Sequence, residues 1–394
     1  MNNMNLIEFN KMYLDIITPV NIASNEKLNT TDYIYDSKNQ VAYFLNPLLW
    51  HKFIYTKKLF PAYMDFINDK TKPRKILYKW LIEQGYNIED IKEVVKYKLI
   101  AHENIDKISK DSLNDIILQT KLIDGSAYIP GSTLKGLIRT AILYDLLQKN
   151  PHLKQRLWQS LERAINGNKS YDEIKRVENN LNRLLTAEIE GAGKREYAKY
   201  DNKNTKNEYY NFMQGIKLSD AMAKTEHNNL VLLKKIDLAV KDNYIKENSL
   251  SVYRECIEPK TRFYFDMQIE KRFMQKLNIN SAEDILIMIQ NFFDASNELL
   301  SSAFGKDYGF LFNGTNLGNT YIGGGTGFLT KTLVAYLAPT KMKAKEFISR
   351  YLNMKFKQRV KPGIRDTKIA PRTLKATKYN GKLTLLGIAK IGKV

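Results

Sequence analysis

The chain has 394 residues, with 62 lysines and arginines against 42 aspartates and glutamates, for a formal net charge of +20. That balance favours a polyanionic partner, while no apolar run is long enough to span a bilayer and no charged-then-apolar leader opens the chain. One cysteine, Cys256, excludes an internal disulfide or a thiolate metal cage, and the four histidines, His51, His102, His152 and His227, are scattered, so a cytoplasmic protein with no metal or other cofactor is expected.

Residues 12–19 read as a strand ended by proline. Residues 33–35 and 41–45 read as two strands joined by the turn Asp36-Ser-Lys-Asn39. From about 47 to 117 the spacing turns helical, as at Ile76, Leu77, Trp80 and Leu81, which predicts a helical insertion. A strand at 127–129, a Pro-Gly turn and a helix to about 149, opening on Ser132 or Thr133, come next. Residues 151–190 are again helical, with Leu153, Leu157, Trp158 and Leu161 at core spacing. Periodicity then stops at 191–209, which reads as a boundary that orders, if at all, on contact with a partner.

Beyond it, 215–219, 230–236 and 261–269 read as strands. Ser281 caps a helix over 281–304, with Glu283 and Asp284 in its first turn. A glycine-rich loop at 323–328 leads into 329–337. A basic helix covers 342–356, and 383–391 is the last strand. The predicted fold class is α+β: two ferredoxin-like domains, 1–205 with helical insertions (about 47–117 and 151–190) and 206–394 with the glycine loop and a basic tail.

Two segments carry the binding chemistry. Tyr128-Ile-Pro-Gly-Ser-Thr-Leu-Lys-Gly-Leu-Ile-Arg139 places a helix start after a tight turn, where free backbone N–H groups and the dipole can hold a phosphate. Lys135 and Arg139 share one helical face and extend that contact, while Leu134, Leu137, Ile138, Ala141 and Ile142 anchor the helix. An ordinary capped strand-turn-helix fits the same residues. The second segment is Gly323-Gly-Gly-Thr-Gly-Phe328, whose glycines permit close backbone approach to a phosphate chain. A plain hairpin connection fits it equally. It is not a dinucleotide fingerprint, and neither Lys331-Thr332 nor 131–136 has P-loop spacing, so nucleotide hydrolysis is not expected.

The last fifth of the chain is one-signed, from Lys341 through Arg372 to Lys378, with Phe347, Tyr351, Phe356 and Tyr379 interleaved. This pattern suits phosphate contact and base stacking, or a solvated face with core aromatics. No catalytic constellation is legible. His227, in Thr-Glu-His-Asn-Asn, is the nearest to a metal-independent proton carrier, and a surface-loop histidine explains it as well.

Taken together, these segments resemble the RAMP superfamily of CRISPR-associated RNA-binding proteins. Residues 128–140 are similar to its "IPGSSLKGxxR" segment, with Thr133 where a second serine is common. Residues 14–19 with 32–36, 216–221, Arg254-Glu255 with 259–263, 323–332 and 370–375 resemble one branch, the fifth subunit of the type III-A Csm complex. One departure is the loop after Thr18-Pro19, glycine-bearing in the family and Val20-Asn-Ile-Ala-Ser-Asn-Glu26 here. The resemblance implies RRM-like RAMP domains and a non-catalytic subunit that caps the backbone filament near the 3′ end of the crRNA. Its implied partners are crRNA and the other Csm subunits, above all the repeated backbone subunit. It places RNA contact at Gly131, Ser132, Lys135 and Arg139, and at Gly323, Gly324, Gly325 and Gly327, with Lys331 and Arg372 as further contacts. The alternative is a RAMP-type metal-independent endoribonuclease that processes precursor crRNA.

Overall fold

The structure, a computed structural model, describes residues 6–69, 76–101, 115–167, 212–224, 229–241, 244–356 and 367–394. The chain opens with β1 (Ile7–Ile16), β2 (Ala23–Leu28), β3 (Tyr33–Asp36) and β4 (Val41–Leu45). Helices α1 (Pro47–Thr56), α2 (Phe60–Asn68) and α3 (Leu77–Glu83) precede β5 (Val95–Ile100), β6 (Ile116–Gln119) and β7 (Tyr128–Ile129). Then come α4 (Gly131–Lys149), α5 (Pro151–Asn166), β8 (Ile216–Leu218), β9 (Ala221–Ala223), β10 (Leu230–Lys241), β11 (Tyr244–Ile257) and β12 (Arg262–Glu270). The chain closes with α6 (Ala282–Tyr308), β13 (Thr320–Tyr321), α7 (Lys341–Lys355), β14 (Thr373–Tyr379), β15 (Lys382–Leu385) and β16 (Ile388–Lys393).

Two large sheets and a small one organise these elements. The first runs β13-β16-β1-β12-β9-β7, with β8 also on β12; the second runs β15-β14-β10-β11-β6-β2. The small sheet is β3-β4-β5. Among the described strands, pairing is antiparallel except between β6 and β11, and Ala101 makes an isolated parallel bridge to Leu232. Strands from both sides of residue 205 share each large sheet: β1 pairs β12 and β16, and β6 pairs β11.

Period-two alternation explains β1. Met12, Leu14 and Ile16 are buried under α4 and α6, while Phe9, Lys11, Tyr13 and Asp15 point the other way. Helix α6 starts on a capping box: the Asp284 N–H donates to Ser281 Oγ (3.4 Å) and the Ser281 N–H donates to Asp284 Oδ2 (3.0 Å). One apolar core joins both large sheets to α4, α5, α6 and α7. A second, aromatic cluster holds α1 to α3 against β3, with Trp50, Phe53, Phe66 and Trp80 within ring contact. No helix among the described residues is long and apolar enough to cross a membrane.

The structure departs from the sequence reading in specific places. Within the expected insertion of 47–117, Val95–Ile100 is a strand on β4, because Val, Tyr and Leu alternate with Lys and Ile there. Ile116–Gln119 is a strand too. The expected last strand over 383–391 is two, broken at Gly387, whose φ of +84° turns the chain. Strand β11 escaped notice because polar residues such as Lys246, Glu247 and Asn248 interrupt its apolar alternation, although it pairs with the neighbouring β10. Residues 168–211, which hold most of the second insertion and the 191–209 boundary, lie outside the described residues.

Candidate nucleic-acid interface

The glycine-rich loop and α4 meet at one cavity of about 380 Å³. Its walls are the α4 face Thr133, Gly136, Leu137 and Thr140, the α6 side chains Phe292 and Ser296, and the loop residues Gly323, Gly324 and Lys331. The lining is mostly apolar and also carries hydroxyls and one ammonium, a mixture suited to a base or sugar with its phosphate.

The loop's shape has a local cause. Gly323 has φ +83°, and a Cβ there would stand 2.5 Å from Asn21 O. The Gly324 N–H donates to Asn21 O at 2.6 Å, pinning the loop to the segment after β1. Asn21 is fully buried and binds on both sides: its Oδ1 accepts from Arg254 Nη1 (2.7 Å) and its Nδ2 donates to Glu255 O (2.7 Å). Arg254 therefore lies directly behind the loop; a Cβ on Gly324 would come 2.7 Å from its Nη1.

Arg254 is half-buried, and its Nε–H has no acceptor among the described residues. Burial holds its pKa below the ordinary arginine value. Lys331 reaches back along the loop and donates to Gly323 O. The lysine is exposed as a whole, but its ammonium lies against protein; desolvation there, with Arg254 close by, lowers its pKa. Two cations with no carboxylate partner among the described residues thus flank a glycine turn. That arrangement is chemically suited to an anion.

The first glycine segment behaves differently. Helix α4 begins at Gly131, not Ser132 or Thr133, with no side-chain cap from its own sequence. The Gly131 N–H donates to Asp220 Oδ1 at 2.7 Å, so an acid of the chain already occupies the helix start. Glycine is required there by packing, since a Cβ would stand 2.8 Å from Ser219 O. Ser132 is exposed; Lys135 and Arg139 lie off the cavity-lining face. Burial lowers the Arg139 pKa. Gly325 and Gly327 shape the loop with φ of +86° and +102° and do not line the cavity.

Much of the basic tail is internally engaged. Lys341 pairs with Glu298 (2.9 Å), Lys375 with Asp237 (2.8 Å), and Arg350 donates to Asn166 Oδ1 (2.6 Å). Phe347 and Tyr351 are core residues, Phe347 lying 5.5 Å from the Trp158 ring. Arg372 leads into β14, and its buried Nη1 has no acceptor among the described residues. His227 and residues 357–366 lie outside the described residues.

On the far side of β11 the chemistry is closed. Glu255 is fully buried and accepts from Lys121 Nζ (2.9 Å to Oε2), Tyr97 OH (2.5 Å) and the Gln119 N–H (2.9 Å). Burial, then Glu255, pushes the Tyr97 pKa upward. Burial pushes the Cys256 thiol up to about 12, which leaves no thiolate at neutral pH.

Sequence reasoning missed Asn21 and Arg254 as site residues. Arg254 sits in a segment the family resemblance covers and Asn21 in the loop that departs from it, and their roles depend on contacts more than two hundred residues apart in sequence.

The glycine loop, the α4 segment and the strands behind them define a protein class. The RAMP superfamily model matches residues 13–311, and the chain belongs to that superfamily. Among curated relatives, the CRISPR system Cms protein Csm5 of Enterococcus italicus is 30% identical over 144 residues, covering 33% of this chain and 41% of that protein. The Csm5 of Streptococcus thermophilus is 26% identical over 265 residues, covering 65% and 63%. The Csm5 of Mycobacterium tuberculosis is 24% identical over 276 residues, covering 69% and 64%. The matched stretches thus span less than two thirds of each relative. The fold is shared with a chain in the cryo-EM structure of a Csm-crRNA-target RNA ternary complex of a type III-A CRISPR-Cas system, at TM-score 0.63 and 15% identity over 98% of this chain and 100% of that one. It is also shared with the crystal structure of T. onnurineus Csm5, at TM-score 0.55 and 15% identity over 96% and 99%. The resemblance read from the motifs is borne out in these relatives.

Proposed function

We propose that this chain is a non-catalytic, RNA-binding subunit of a type III-A Csm effector. It caps the backbone filament near the 3′ end of the crRNA, contacts the repeated backbone subunit, and contributes to crRNA maturation and antiviral defence. The observation that carries this reading is the pair of cations around the glycine loop: Arg254, whose Nε–H has no acceptor among the described residues, and Lys331 beside it. Gly323, Gly324, Gly325 and Gly327 let the RNA backbone approach them. Lys135 and Arg139, with exposed Ser132, lead the strand outward along α4, Gly131 fixes that helix start, and Arg372 is a separate, weaker contact. The names of the relatives support the Csm assignment, and the two large sheets support a pair of ferredoxin-like RAMP units built from interleaved stretches of chain.

The test is to incubate the purified chain with repeat-containing RNA in the absence of divalent metal. Binding that weakens steeply with salt, with the RNA left uncut, agrees with the proposal. Specific cuts contradict it and favour the endoribonuclease reading.

A further inference from the structure

The face of the first large sheet that turns away from α4 and α6 is uncovered, and its residues form a pattern. In β1, Phe9 is 74% exposed, and Lys11, Tyr13 and Asp15 follow it on the same side. Register places Gln268, Asp266, Tyr264 and Arg262 of β12 directly opposite these four. The flanking strands add Lys217 opposite Gln268, Met222 opposite Tyr264, and Lys390 opposite Asp15. Tyr13 and Tyr264 thus sit side by side at the centre, with Phe9 about 14 Å along the strand. A Cβ on Gly392 would overlap the Tyr13 ring, so that ring lies flat across β16.

Charge on this face is mostly positive. The Arg262 guanidinium lies 4.5 Å over the Tyr13 ring and pairs with Asp15 through two bonds (2.5 and 2.7 Å), which neutralises that acid. The Lys224 ammonium lies 4.3 Å over the Tyr264 ring. Lys11, Lys217 and Lys390 are exposed and have no carboxylate partner among the described residues. A trough of about 610 Å³ runs between Phe9, Lys11, Lys217, Asp266 and Gln268, so two ammonium groups and one exposed carboxylate line it.

We propose that this open sheet face is a second binding platform for single-stranded RNA, separate from the glycine loop. Aromatic rings and guanidinium planes standing off a sheet stack unpaired bases, and lysines around them hold phosphates. The Phe9 ring and the Arg262 plane over Tyr13 are the stacking surfaces; Lys11, Lys217 and Lys390 form the phosphate rim. A peptide edge would find no complement here, since these are central strands with their backbone groups already paired and a cationic surround.

The test uses the full chain and a thiouridine-bearing single-stranded RNA, with crosslinked peptides mapped and affinity measured. The triple variant Phe9→Ala, Lys11→Glu, Lys217→Glu changes exposed side chains only, and its unfolding midpoint serves as the check on folding. Expected are crosslinks on 9–13 and 262–268, an affinity about tenfold weaker in the triple variant, and retained binding in Phe9→Trp. Crosslinks at the glycine loop persist in the triple variant if the two sites are separate. Unchanged affinity with no crosslink on β1 or β12 overturns the platform and leaves the loop standing. Crosslinking of these strands to polypeptide in the assembled complex, and not to RNA, also overturns it.

Discussion

Arg254 and Glu255 are neighbours on β11 and meet opposite fates. Glu255 points into the core, where Lys121, Tyr97 and a backbone N–H satisfy it. Arg254 points to the glycine loop, donates to Asn21 Oδ1, and keeps an N–H without an acceptor among the described residues. The closed cluster has no chemistry left to offer a ligand, whereas the open one has a directed donor and a full charge. Asn21 joins the two residues, its Oδ1 accepting from the Arg254 side chain and its Nδ2 donating to the Glu255 backbone carbonyl, so the buried β11 backbone braces the half-buried cation. The two glycine turns repeat the contrast: Gly131 has its N–H taken by Asp220, while the 323–327 turn has cations behind it.

Mutations can break this comparison at either end. The largest effect on stability is expected from Lys121→Ala. It leaves the Glu255 carboxylate buried without its counter-ion, at a cost of about 3–5 kcal/mol, read as the urea unfolding free energy; RNA affinity of the folded chain stays unchanged. Asn21→Ala strips partners from both halves. It is expected to cost about 1–3 kcal/mol of stability and to weaken RNA binding as the loop loses its brace, measured by unfolding and filter binding on the same preparation. Arg254→Gln is expected to weaken RNA binding about tenfold or more while costing only about 1 kcal/mol of stability. Arg254→Lys does not restore it, because a point charge cannot replace the guanidinium fork.

The smallest effect is on pH. The Lys331 pKa is lowered by desolvation and by Arg254, so the folded chain releases that proton before the unfolded chain does. Protonation of Lys331 therefore opposes folding; this small penalty begins to fade as pH rises through the lowered pKa and is gone above the ordinary lysine value. RNA binding has the opposite sign: phosphate favours the ammonium, so affinity falls as pH rises through the same range, below the ordinary lysine value. Lys331→Arg is expected to abolish this early alkaline loss in a titration of binding against pH.

Short-range signals carried much of the fold. The Asp36 turn, with Oδ1 accepting from the Lys38 and Asn39 N–H groups, lies where the turn residues place it. The Ser281 capping box and the α4 apolar stripe are likewise local, since each rests on residues within a few positions. Strand β11 was hidden because polar residues break its apolar pattern, and the short β5 because helical spacing on its N-terminal side masked a six-residue alternation. The glycine loop was legible as a backbone approach point, but its cations were not. Arg254 reaches it only because β11 lies beside the segment after β1, and Asn21 stands in the stretch where the family usually carries glycine. The basic tail misled in part: charge in sequence does not reveal that Lys341, Lys375 and Arg350 are already bonded.

The most direct test of the account is the salt dependence of single-stranded RNA binding by the unmodified chain and by Arg254→Gln. If the glycine loop grips phosphate through Arg254, the variant binds more weakly and the slope of log affinity against log salt shrinks by about one. Superimposable curves for the two proteins would contradict it.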